Sequence, residues 1–547
     1  MRRREKNHLQ VESSYKRVVK SVAAPAFVVI GVLLWVLYSL QHRSRFVGSW
    51  DEVDFVLALS RFDLLAMQPH FPGYPYFVAG AMLVQRFMQN PVLAYDTLNI
   101  GLLALSIIPL WLLARRVLSP LWTALAVLLV LTAPYLWLQA VRPMSEAAGI
   151  AMLWWFLWSW WRAMERRTWR RSAAALFFFS LMMGIRLSFV AFGVGLLWLL
   201  ALHVLDWRRQ GKRALPRAIL FVLLAAGFEL LWVAGLALSE GGLRGFLQLA
   251  LAFTEGHFSE WGGGVTSAAK ISFAARLLRF AGDNVLWTGM FARSTALLTA
   301  AAGLTFAAVL AAEAARPPRG SARTRAPLAH RAAAWLCRPA LPGALAVLAS
   351  AYGAWALLAQ NIDKPRHITP LIGVVWLLLA MCCTAAPAAA QQQERGARIR
   401  RVLQAAGVLC AACVIALQAT AGSALVARQA EETPAVYQLA QGLRQLADSH
   451  SDQRFVVYTW EEMRVLQYLH CPVTNRRIET YAYFLADVQA DPKAEILLTD
   501  HVLQGFEAQV GSLRDKVQPI AVYRSDPLFE PVYNEITLYR WIGDKNQ

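Results

Sequence analysis

Three carboxylates fall within four positions in Ser49-Trp50-Asp51-Glu52-Val53-Asp54, shortly after an apolar run. Acids this close raise the pKa of one member or share a cation. Asp51 and Glu52 are therefore candidates for a general base, with Asp54 as a second acid or a ligand for a metal or an acceptor. A solvated acidic loop would use the same residues. Pro69-His70-Phe71-Pro72-Gly73-Tyr74-Pro75 is a rigid turn that offers His70 either as a substrate contact or as a turn cap. Arg142-Pro143-Met144-Ser145-Glu146 precedes another apolar run. Arg142 is a further substrate contact there. Glu146 is either the partner acid, for metal or acceptor, or a carboxylate favoured at a helix N-terminus. In Asp363-Lys364-Pro365-Arg366-His367, Lys364, Arg366 and His367 stand beside a helix start and suit a phosphate at headgroup depth. Snorkelling to lipid headgroups is their other use. An acid that deprotonates a hydroxyl and cations that stabilise a departing phosphate are what group transfer from a lipid-linked phosphate requires.

The scaffold that must hold these groups is a membrane. Of 547 residues, 57% are hydrophobic and 16% charged, and the mean hydropathy is +0.39. Soluble chains carry about 25% charged residues. Apolar runs of spanning length predict helices near 22–40, 95–114, 121–139, 147–161, 172–184, 187–205, 218–238, 285–312, 340–360, 371–390 and 402–424, eleven in all. The run 172–205 could also be one broken helix. The net charge of +19 would suggest nucleic acid in a soluble chain. Here, alternate connecting segments (1–20, 115–120, 162–171, 206–217, 316–338 and 391–401) hold 29 Lys and Arg, against 12 in the longer segments facing the other side. That is the positive-inside bias. It places the N-terminus inside, the C-terminus outside, and all four polar motifs on the outer face. The basic excess thus sets topology, and no nucleic-acid partner is implied. Arg162–Arg171 is read as a topological determinant and the tryptophans before it as interfacial anchors. Six cysteines exclude a disulfide-stapled scaffold, and Cys410-Ala-Ala-Cys413 lies within an apolar run without a second pair.

Two segments read differently. Residues 41–94 form a long outer loop with one or two interfacial helices. From about residue 430 the composition becomes that of a soluble domain. Helical periods at 434–449, 460–469 and 501–513 alternate with strand-like runs at 454–459, 494–500 and 520–523. A last run, 535–541, is expected at a sheet edge. This order predicts a small α/β domain with a mainly parallel sheet; the domains are 1–429 in the membrane and 430–547 outside it. No phosphate loop assigns it a nucleotide. Residues 316–338 read as a flexible cytoplasmic linker.

On Asp51-Glu52, the His70-x-Pro72 turn, Arg142 to Glu146 and Lys364-Pro-Arg-His-Ile-Thr-Pro370, the chain resembles the membrane glycosyltransferases of the C fold, such as protein O-mannosyltransferases and the aminoarabinose transferase. The resemblance covers about residues 15–425. It implies that the first-loop acid, Asp51 by preference, is the base and that the donor is a polyprenyl-phosphate sugar. It further implies inverting transfer to a glycan, lipid or protein acceptor outside the plasma or inner membrane. The mannosyltransferases typically read His-Pro-Pro followed soon by Lys, whereas this chain has His70-Phe-Pro72-Gly-Tyr-Pro75; Glu146 stands where Asp is frequent. Some relatives bind a divalent cation such as Mg or Mn and others need none. A transporter or flippase of lipid-linked glycans is the other class. It would carry broken helices at matching positions of two halves, and no such repeat is present.

Overall fold

The computed structural model describes residues 23–261, 263–266, 271–314, 335–384 and 394–543. The basic N-terminal residues and most of the expected linker 316–338 lie outside them. Helices occupy all eleven expected runs as far as the described residues reach. Eight helices among the described residues are long and apolar enough to cross a membrane, and the bent pair Pro120–Leu131 and Pro134–Ala140 makes a ninth. The runs 147–161 and 172–184 correspond to Glu146–Glu165 and Trp169–Ile185, which fall outside that count. The first of these is rich in tryptophan, with Trp154, Trp155, Trp158, Trp160 and Trp161, which lowers its hydropathy; the second has 17 residues, short of the ~20 that span a bilayer. The chain is a multi-pass membrane protein with a small C-terminal sheet region.

Three local features position the polar motifs. Pro134 lacks a backbone N–H and bends its helix pair by 60°, ending the second segment just before Arg142. The turn after it is held by Asn99, a fully buried polar residue on the helix Pro91–Ala114. Its side-chain amide donates to the Arg142 and Met144 carbonyls, both at 2.9 Å, and its side-chain oxygen accepts from the Ala148 N–H at 3.2 Å. The loop carrying Lys364 is held similarly. Arg276 donates to the Leu357, Gly263 and Gln360 carbonyls at 2.6–2.8 Å, and Asn284 to the Ile362 carbonyl at 2.7 Å. Polar residues inside an apolar scaffold are costly without partners, and these find theirs in loop carbonyls.

The long outer loop contains helices Trp50–Ala58 and Pro75–Gln85. In the first, Val53 and Val56 share a face at i, i+3 spacing and pack with Ala435, Leu439, Phe455, Leu466 and Leu538 of the C-terminal region. Phe55 and Ala58 belong instead to the core of the membrane helices. This one helix therefore joins both halves. Fully burying a valine side chain contributes about 1.5–3 kcal/mol, enough to fix where the helix presents Asp51.

In the C-terminal region β1 (Phe455–Tyr458), β2 (Thr474–Arg476), β3 (Glu495–Thr499), β4 (Val517–Arg524) and β5 (Glu535–Trp541) form a sheet of order β2-β1-β3-β5-β4. β1 is parallel to β2 and β3, while β5 is antiparallel to both β3 and β4. The expectation of a mainly parallel sheet is thus corrected to a mixed one. β5 is also interior rather than an edge, with Ile536, Leu538 and Trp541 buried. The link between β4 and β5 is shorter than the dozen or more residues a parallel crossover needs, so the chain returns antiparallel. The edge falls to β4, which contains Pro519 beside a register irregularity.

Candidate active site

The helix Trp50–Ala58 sends its three acids in three directions. Glu52 points inward, 2% exposed. It accepts the backbone N–H groups of Gly48 (2.7 Å) and Ser49 (3.2 Å), as a carboxylate at a helix start does. It also receives Arg142 Nε at 2.8 Å. Asp54 is fully buried and contacts His70 Nδ1 at 3.2 Å and Arg464 Nε at 2.9 Å. Burial raises its pKa, against the pull of His70 and Arg464. Asp51 faces a cleft, its side chain 23% exposed, and pairs with the Arg366 guanidinium. Burial alone would push the Asp51 carboxyl up, but Arg366, His70 and Lys364 hold it far below the usual carboxylate range.

The cleft is lined by Ser49, Trp50, Asp51, Tyr135, Gln139, Arg142, Lys364, Pro365, Arg366, Glu461, Glu530, Pro531, Val532 and Tyr533. Three acids and three cations therefore face one space. Each cation has an acidic partner. Arg366 has Asp51 and also Glu146, at 3.3 Å. Lys364 has Glu461 at 3.3 Å. Arg142 has both Glu52 and Glu530 and also donates to the Phe529 carbonyl.

Of the residues singled out in sequence, Asp51, Arg142, Lys364 and Arg366 line the cleft. Glu146 lies behind it, fully buried and 2.8 Å from Arg186. His70 also stays behind, held by Asp54 and by the Tyr74 hydroxyl at 2.9 Å from Nε2. His367 does not line the cleft; its backbone carbonyl accepts from the Tyr352 hydroxyl at 2.6 Å. As to a divalent ion, no group of three His, Cys, Asp or Glu suited to a metal occurs among the described residues. The first-loop acids diverge onto three separate cationic partners, so they do not form a shared ligand set.

Sequence reasoning missed Asn99, Arg186, Glu461, Arg464, Glu530 and Tyr533. Asn99 and Arg186 carried a usable signal, since a polar residue in or between apolar runs calls for a partner. The others carried none, because they reach the site from a region hundreds of residues further on.

The sequence matches no family model and no curated protein. Among solved structures, the chain is similar to ArnT from Cupriavidus metallidurans bound to undecaprenyl phosphate, with TM-score 0.49 and 14% identity over 95% of this chain and 98% of that one. It is also similar to the Archaeoglobus fulgidus oligosaccharyltransferase in the apo form, with TM-score 0.48 and 13% identity over 86% and 69%. A third is the arabinofuranosyltransferase AftD from mycobacteria, with TM-score 0.45 and 14% identity over 95% of this chain and 40% of that one. The likeness is distant in each case.

Proposed function

We propose that the chain is a glycosyltransferase that moves a sugar from a polyprenyl-phosphate donor to an acceptor hydroxyl, with inversion, on the extracytoplasmic face of the plasma or inner membrane. One observation carries this reading: Asp51 and the cations Arg142, Lys364 and Arg366 line the same cleft, formed between membrane helices and the C-terminal region. The basic bias of alternate connecting segments supports the outer location.

Lys364 and Arg366 bind the donor phosphate, and Arg366 turns from Asp51 towards it. The sugar then lies between the leaving phosphate and Asp51. With its guanidinium partner withdrawn, Asp51 regains the basicity that the ion pair suppresses. It takes the proton of the acceptor hydroxyl as that oxygen attacks the anomeric carbon. The bond from that carbon to the phosphate oxygen breaks, and the cations stabilise the polyprenyl phosphate released. Glu52 and Asp54 are positioning residues, because one anchors Arg142 and the other ties the loop to Arg464. Glu146 keeps Arg366 in place from behind. No step is routed through a metal, since each first-loop acid already faces its own cationic partner.

The test is transfer from a polyprenyl-phosphate sugar by the purified full chain. Turnover that disappears in Asp51→Asn supports the reading. Donor binding without transfer to any acceptor would return it to the transporter class.

A further inference from the structure

The link between β4 and β5 ends its reach in the donor cleft. Its base follows β4 and is tied to the end of the helix Glu394–Glu431: Asp526 pairs with Arg428 on that helix at 2.7 Å, and its N–H donates to Glu432 just after it at 2.6 Å. Its tip, Leu528-Phe529-Glu530, leaves the sheet, with the Arg428 guanidinium 5.5 Å from the Phe529 ring. Leu528 and Phe529 are buried within the core of the membrane helices, and the Glu530 carboxylate sits on Arg142. An apolar pair among the helices next to an anion on a guanidinium is the chemical pattern of an isoprenoid phosphate.

The two acids on Arg142 are held differently. Glu52 is fixed by two backbone N–H groups at the start of its own helix. Glu530 is held by the loop alone, and among the described residues the polar contact found for its side chain is Arg142. Burial also raises its pKa, helped by the facing Glu52 and opposed by Arg142 and Arg366. Of the two, Glu530 is the one that can leave. The charges facing the cleft already balance, so an entering phosphate adds an anion that no free cation awaits.

We propose that the tip Leu528-Phe529-Glu530 is an internal stand-in for the lipid-linked donor, which must be displaced when the phosphate, held by Lys364 and Arg366, also takes Arg142. The inference rests on the reading of the cleft as a polyprenyl-phosphate site. It makes the C-terminal region a gate on donor entry, so the donor competes with the chain's own loop for the cleft.

The experiment uses the full chain in detergent with a polyprenyl monophosphate as probe. Binding is measured for wild type, Glu530→Gln and Phe529→Ala, with thermal melting to confirm that each variant folds. Removing the competing tip should tighten binding roughly tenfold, the scale of one charge-assisted hydrogen bond no longer broken on entry. In the wild type, amide exchange across 525–534 should quicken when the probe is added. Equal or weaker binding by both folded variants, or unchanged exchange on a wild type that binds the probe, overturns the stand-in role alone. A wild type that does not bind the probe overturns the donor reading beneath it.

Discussion

Asp51 and Arg366 are ion-paired across 315 positions of sequence, so the proposed base and the proposed phosphate ligand silence each other until a donor arrives. The pairing explains how an acid can be held ionised and weakly basic beside the acceptor's path. It also makes basicity conditional on occupancy of the phosphate site. Arg366→Lys should keep the charge but lose the planar fork. Donor binding is expected to weaken by about 1.5–3 kcal/mol on Arg366→Gln, with partial recovery in the lysine variant. Titration with a polyprenyl phosphate checks both.

Glu52 and Asp51 are neighbours in sequence with different tasks. Glu52→Gln breaks a buried pair with Arg142 and weakens the helix start. Arg142 keeps Glu530 and the Phe529 carbonyl, so the cost is that of weakened charge-assisted hydrogen bonds, about 1.5–3 kcal/mol, and the variant should melt at a lower temperature. Its loss of transfer should follow its loss of folded protein. Thermal melting with and without a polyprenyl phosphate separates this from a catalytic defect.

Asn99→Leu should act on the Arg142 turn from the helix Pro91–Ala114. It removes contacts to three backbone groups while keeping approximate size and putting an apolar side chain in place of the amide. Buried groups left without partners cost about 1–3 kcal/mol each. Both stability and donor affinity are expected to fall, although Asn99 does not line the cleft. A variant with wild-type melting and affinity would show that the turn holds itself.

In the C-terminal region, His501 Nδ1 contacts Glu462 at 2.9 Å and Asp500 at 3.4 Å. Burial lowers the imidazole pKa, but these two acids together raise it above its ordinary 6.5. A pKa raised on folding stabilises the fold fully below the unfolded value, and the contribution is lost as pH rises through the folded value. Melting of the wild type should therefore fall between slightly acidic and mildly alkaline pH. His501→Gln should flatten that part of the profile.

The membrane helices, the polar motifs and most C-terminal strands were legible in the sequence, because apolar length, basic connectors and alternating patterns are local signals. The division of labour among Asp51, Glu52 and Asp54 was not. It depends on which way a short helix faces, and that is set by Val53 and Val56 packing on residues beyond 434. Glu530 was invisible for the same reason, since nothing near it marks a loop that reaches Arg142 across 388 positions. The interior place of β5 follows from a return too short for a crossover, which a strand-by-strand reading does not weigh.

The most direct measurement is the rate of sugar transfer from a polyprenyl-phosphate donor by wild type and Asp51→Asn, with donor binding and melting recorded on the same preparations. The account predicts a folded variant that still binds donor and transfers about 10²–10⁴ times more slowly, the usual cost of losing a general base. A folded, donor-binding Asp51→Asn protein with wild-type turnover would contradict it.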